Sequence, residues 1–223
     1  MLWAGQFGIA GGEALEETPW VGAFPDPRPS SEEPSDLYLI VEPALPGSAE
    51  FCGELKEAVG RVFHRQKVSL TGGLLKALRA AHEHLRDWNE RSLKEHRVAA
   101  GLSCLAVQDS RGYLAQVGPA RAAVYRRGSL TTFRPELPDA LEPLGLQAEF
   151  WPDFQRVELD AGARLLLLSP ALFDAVSAQE LAADLALPEE DVLPALYRRA
   201  RDLPDCGALL LASIEDPRLV VPA

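Results

Sequence analysis

Between Phe51 and Trp88 apolar residues recur at helical spacing, whereas from Gly101 onward they gather into short runs split by turn-forming tetrapeptides. A chain that changes period in this way, with helices in blocks and strands in succession, lacks the βαβαβ alternation that a doubly wound parallel sheet requires. The architecture this leaves is α+β, with antiparallel sheets and helices packed against them.

The elements can be placed in order. Leu37-Tyr38-Leu39-Ile40-Val41 is a continuous run of strand formers ended by Glu42-Pro43, as expected of a buried strand. Phe51, Leu55, Val59 and Val62 then mark one helix face, and Leu70, Leu74, Leu78, Ala81, Leu85 and Trp88 mark a longer one. GLSCLAVQ and YLAQVG flank Asp109-Ser110-Arg111-Gly112 and predict a hairpin from Gly101. Ala122 to Tyr125 and Leu130 to Phe133, around Arg126-Arg127-Gly128-Ser129, extend it into a meander. Asp160-Ala161-Gly162-Ala163 carries another hairpin signature between Arg156–Leu159 and Leu165–Leu168.

Helices return near the end. Ser177 and Glu180 stand three apart, so hydroxyl and carboxylate can cap one helix start reciprocally. After Pro188, three acidic residues open a helix that Arg198, Arg199 and Arg201 close, matching the macrodipole, with Pro194 positioned to bend it. Residues 208–214, ALLLASI, read as a last buried strand. The Pro/Ser/acidic stretch 24–36 is expected to be an exposed loop, and the proline-rich 134–155 an irregular surface excursion, within one domain spanning 1–223.

Composition excludes several functions. Apolar residues make up 47% and charged residues 25%, which rules out disordered, collagenous and disulfide-scaffold classes. The net charge of −11 would repel phosphate backbones and anionic lipid, so neither nucleic acid nor a membrane surface is an expected partner. Cys52, Cys104 and Cys206 are scattered and unpaired in spacing, which fits a reducing cytoplasm. The first basic residue is Arg28, and no apolar run reaches a membrane-spanning length, so neither a signal peptide nor an anchor is expected.

Common catalytic motifs are missing. His82 and His84 stand two apart on a helix and so point to different faces, where surface positions are expected; His64 and His96, among charged residues, are expected to be solvated. Gly11-Gly12 and Gly72-Gly73 match neither G-x-G-x-x-G nor a Walker loop. Ser103 and Ser169 lack a G-x-S-x-G elbow.

The succession of pieces from about Leu37 to Ile214 nevertheless resembles the PPM-type, protein phosphatase 2C-like, metal-dependent serine/threonine phosphatases. Ile40-Val41-Glu42-Pro43-Ala44-Leu45-Pro46-Gly47 stands where that family has Val-x-Asp-Gly-Met-Gly-Gly after a buried strand. Gly101-Leu102-Ser103, the hairpin, and then Val117-Gly118-Pro119-Ala120-Arg121 through Tyr125 follow the order of its Gly-x-Thr and Val-Gly-Asp-Ser-Arg-x-Tyr segments. Residues 165–176, LLLLSPALFDAV, are similar to its Leu-Leu-Leu-x-Ser-Asp-Gly-Leu-x-Asp-x-Val, and Asp205-Cys206 to its closing Asp-Asn. The resemblance implies two packed antiparallel β-sheets flanked by helices on both faces.

It also implies a dinuclear metal centre built on carboxylates, which generates hydroxide and polarises phosphate. The departures fall on that centre. Glu42 replaces the strand-end aspartate, one methylene longer, and Pro43 the adjacent glycine; Pro170 replaces the aspartate of Ser-Asp-Gly and offers no side-chain oxygen. Asp205 survives. No basic phosphate clamp precedes Arg28, and Glu16-Glu17 is the acidic pair near the N-terminus. Asp205 and Glu42 also have ordinary roles open to them, as a turn residue before a strand and a strand-end charge beside a vacated cleft. Arg121 could equally be a sheet-surface residue.

The leading expectation is a pseudophosphatase with a binding or regulatory role in phosphorylation signalling, no cofactor, and a protein partner met at the cleft or the 134–155 excursion. The alternatives are an active phosphatase using Mn²⁺ or Mg²⁺ held by Glu42, Asp205 and Glu16 or Glu17, and an unrelated α+β structural domain.

Overall fold

The computed structural model describes residues 2–15, 18–28, 34–65 and 69–213. Strand alternation sets its layers. In β4 (Asp36–Pro43), Leu37, Leu39 and Val41 face a pair of helices, α1 (Ala49–Arg65) and α2 (Leu70–Arg91). Tyr38 and Ile40 face the opposite way, into a core shared with a second sheet. The first sheet has the order β3-β4-β5-β6-β9, with β3 Val21–Phe24, β5 Ala100–Gln108, β6 Arg111–Val117 and β9 Asp153–Glu158. The second runs β2-β1-β11-β10-β7-β8, with β1 Leu2–Ala10, β2 Glu13–Leu15, β7 Arg121–Arg126, β8 Ser129–Phe133, β10 Arg164–Leu168 and β11 Cys206–Ser213. Each pairing of neighbours is antiparallel.

Leu166, Leu168 and Leu210 leave the second sheet on its outer face, against α4 (Pro170–Ala175), α5 (Ala178–Leu185) and α6 (Glu189–Ala200). The chain is thus an α+β sandwich of two antiparallel sheets with helices on both outer faces. Fully buried leucines occupy each of its three apolar layers, among them Leu55, Leu105 and Leu196. Each such side chain contributes roughly 1.5–3 kcal/mol of transfer free energy. The expected capping box forms, with the Ser177 hydroxyl accepting from the Glu180 amide and the Glu180 carboxylate accepting from the Ser177 amide.

Two sequence expectations about connectivity need correction. The meander is broken, because β6 and β7 belong to different sheets, joined across Gly118-Pro119-Ala120. Asp160-Ala161-Gly162-Ala163 does not close a hairpin either: β9 pairs with β6, while β10 pairs with β7 and β11. Val157, Leu159 and Leu165 all enter the layer between the sheets, and crossing from one sheet to the other keeps both runs facing that one core. The first three strands, absent from the sequence reading, add two edges; β1 registers along β11 from Leu2↔Ser213 to Ile9↔Cys206.

Other corrections concern burial. His82 is buried rather than on the surface: its Nδ1 accepts from the Gly145 amide at 3.2 Å, and its ring stacks on Phe150. His84 does face solvent, 3.3 Å from Glu54. His64 is half-buried, its Nε2 3.1 Å from the Phe24 carbonyl. The long stripe ends at Leu85; Trp88 is exposed and Asn89 is buried in its place. The 134–155 segment is not merely a surface excursion. It holds the short helix α3 (Pro138–Leu141), buries Leu144 in the α2 layer, and ties Gly145 to α2. In the 24–36 loop, Asp26 is buried and accepts from the Arg28 and Ser35 amides.

Candidate functional site

Glu42 is in phase with Tyr38 and Ile40, so its side chain follows theirs toward the space between the sheets, at the end of β4 where the apolar filling stops. There the end of β4, the start of α4 and the loop entering β11 converge. Glu42, Pro43, Ser169, Pro170, Asp205 and Cys206 line one cleft of about 620 Å³ although their loops are far apart in the chain. Trp20, Cys52, Pro119, Pro143 and three alanines complete its wall.

Glu42 is the anomaly in this cleft. Only 8% of it is exposed, and its Oε1 is buried without a hydrogen-bond partner among the described residues. Burial pushes its carboxyl up to about 8, an effect that the positive charge of Arg121 partly offsets. Arg121 makes no bond to it: the guanidinium lies 5.7 Å from the Phe173 ring centroid and donates to the Ala120 carbonyl at 2.9 Å.

The other sequence-selected positions carry structure. Pro170 is the first residue of α4, where a missing N–H costs nothing and a fixed φ favours the helix. Ser169 ahead of it exchanges bonds with β11, its amide donating to the Gly207 carbonyl at 2.9 Å and its Oγ accepting from the Gly207 amide at 3.2 Å. Pro43 ends the β4 ladder opposite Ala100. Asp205 is exposed, and its Oδ1 accepts from the Gly11 amide at 3.0 Å while the Gly12 amide donates to the Pro204 carbonyl at 2.8 Å. It therefore clasps the β1–β2 turn, whose Gly11 and Gly12 have φ of 58° and 82°. Replacing Asp205 by alanine is expected to cost only about 0.5–1.5 kcal/mol, the net worth of one such hydrogen bond. Urea unfolding checks this, and a loss several times larger would assign Asp205 a further role. Glu16 and Glu17 lie outside the described residues.

Two of the scattered thiols, Cys52 and Cys206, meet in the cleft. Burial, with the negative charge of Glu42 behind it, pushes Cys52 up to about 12 and Cys206 to about 11, so both stay protonated and neither is a nucleophile. A buried polar bridge also lies next to the site. Gln116 Nε2 donates to Ser103 Oγ at 3.1 Å, and Ser103 Oγ donates to the Arg121 carbonyl at 3.3 Å, tying the strand that carries Arg121 to the other sheet. Gly101 was a usable signal for this corner: a Cβ there would stand 2.6 Å from Pro119 Cδ, so the lack of a side chain lets Pro119 pack over the end of β5.

Mg²⁺ and Mn²⁺ call for near-octahedral sets of hard oxygen ligands. Among the described residues no group of three or more His, Cys, Asp or Glu is placed to hold a metal ion. Within the cleft the carboxylates are Glu42 and Asp205, and proline, alanine and tryptophan make up most of the rest. The described residues do not fit a dinuclear centre.

No protein-family model and no curated protein matches the chain. Solved structures do. It is similar to the serine/threonine phosphatase of S. agalactiae, with a TM-score of 0.79 at 13% identity, covering 96% of this chain and 100% of that one. Stp1 from Staphylococcus aureus gives 0.78 at 18% identity, over 97% of this chain and 96% of that one. PstP/Ppp of Mycobacterium tuberculosis gives 0.69 at 18%, over 96% and 99%. At such identities the likeness speaks for the fold, and the chain has the fold of the PPM-type serine/threonine phosphatases.

Proposed function

We propose that this chain is a pseudophosphatase, a PPM-fold domain that acts in phosphorylation signalling by binding a protein partner rather than by hydrolysing phosphate. One observation carries the reading: the loops that would build the metal centre do meet, and they bring together Pro43, Pro170 and a single buried carboxyl instead of a cage of oxygens. The scaffold around them is fully packed, so the cleft is a formed surface available for recognition. A cytoplasmic setting is part of the proposal, supported by three free cysteines, all buried. No helix among the described residues is long and apolar enough to cross a membrane.

Metal titration tests it. Calorimetry with Mn²⁺ is expected to show no site tighter than the millimolar range, in the wild type and in Asp205→Ala alike. Two micromolar sites abolished by that substitution would overturn the proposal and favour a working phosphatase.

A further inference from the structure

We propose that the cleft is a receptor for a primary ammonium group carried on an apolar body, with Glu42 as the anchor; this rests on the binding reading above. A buried oxygen without a donor is costly, and Glu42 Oε1 has no partner among the described residues. Glu42 borders the cleft, and a nearly buried side chain with an unpaired oxygen there is complementary to a ligand that brings the donor.

The chemistry of the walls narrows the ligand. Trp20, Pro43, Pro119, Pro143 and Pro170 present apolar surface, and about 620 Å³ accommodates a small aliphatic or aromatic body. Glu42 and Asp205 both border the space, whereas Arg121, which lies by Phe173 and donates to the Ala120 carbonyl with its Nε unpartnered among the described residues, does not line it. A phosphate anion finds no basic side chain among the residues that line the space and is disfavoured. One orphan oxygen suits the point donor of an ammonium better than the fork of a guanidinium, which asks for two acceptors side by side. Trp20 adds an aromatic wall of the kind that attracts cations.

Calorimetric titration of the intact protein at about pH 8.5, where an alkylammonium keeps its charge, with n-hexylammonium, hexanol and inorganic phosphate tests this. The expected result is submillimolar binding of hexylammonium, hexanol weaker by about tenfold or more, and no uptake of phosphate. Glu42→Gln, nearly isosteric, should weaken hexylammonium by about tenfold while thermal unfolding shows an intact fold. A blocked tripeptide with a central lysine, and its Nζ-acetylated form, distinguish the source. If the lysine peptide binds more tightly than hexylammonium and the acetylated one does not bind, the ligand is a protein segment; the reverse order marks a free amine, and either result supports the receptor.

Equal binding of hexylammonium and hexanol, or no effect of Glu42→Gln, overturns the inference while leaving a non-hydrolytic domain in place. Phosphate binding that depends on added Mn²⁺ overturns the inference and the pseudophosphatase reading together.

Discussion

At about pH 8.5 the Glu42→Gln variant is expected to be more stable than the wild type by about 4–5 kcal/mol, and by less than about 1 kcal/mol at pH 5. The cause is the buried carboxyl, raised from 4.5 to about 8 chiefly by burial. Between those two values the folded protein keeps a proton that the unfolded chain has released. The stability this group contributes is fully present below 4.5 and is lost as pH rises through about 8. Glutamine keeps the shape and never ionises, so its advantage grows over that same window. Urea unfolding of both proteins across pH 4–9 checks the prediction, and parallel pH profiles would contradict it. A residue that destabilises its own fold in this way is characteristic of a site held for function rather than for packing.

Asn89→Ala is expected to cost about 3 kcal/mol, lowering Tm by roughly 10 °C. Asn89 lies buried in α2 and makes three bonds to backbone, donating to the Val98 carbonyl at 2.8 Å and the Gly145 carbonyl at 2.9 Å and accepting from the Val98 amide at 2.8 Å. Alanine leaves three buried backbone groups without partners. It also frees Gly145, whose φ of 97° is held from both sides by Asn89 and His82. Differential scanning calorimetry gives the Tm, and limited proteolysis should show faster cleavage between residues 134 and 152. A loss below about 1 kcal/mol would mean that water satisfies these groups and that the segment is not clamped there.

Local physics made much of this fold readable. The strand at Leu37–Val41, both long helices and the Ser177–Glu180 cap follow from period and capping chemistry, and the structure has each. What local patterns cannot specify is the partner of a strand. The turns at residues 118–120 and 160–163 look like hairpin turns because they reverse the chain; whether the next strand joins the same sheet or the facing one depends on which core its apolar residues must share. The Leu2–Ala10 strand, LWAGQFGIA, lacks clean alternation and owes its conformation to β11, at the far end of the sequence. The spacing of His82 and His84 predicts surface positions, yet His82 is buried, and with Asn89 it meets the backbone of Gly145 in a distant segment.

The site was legible in a different sense. Glu42, Pro43, Pro170 and Asp205 stood out only through the family resemblance, since nothing in composition or spacing links a strand end, a helix start and a turn. The structure sets all four on one cleft. Trp20, Pro143 and, from the first turn of α1, Cys52 join them because the sandwich brings these segments to the same end, which no local signal reports.

Phosphate release in the presence of metal separates a binding domain from a working phosphatase. Metal-activated hydroxide needs a cation strong enough to lower the pKa of its bound water, and that cation needs its carboxylate cage. With the purified protein, p-nitrophenyl phosphate and a phosphothreonine peptide, each with millimolar Mn²⁺ or Mg²⁺, phosphate is expected to be released no faster than from a heat-denatured control. Turnover well above that control, abolished by chelator and restored by Mn²⁺, would contradict the pseudophosphatase reading.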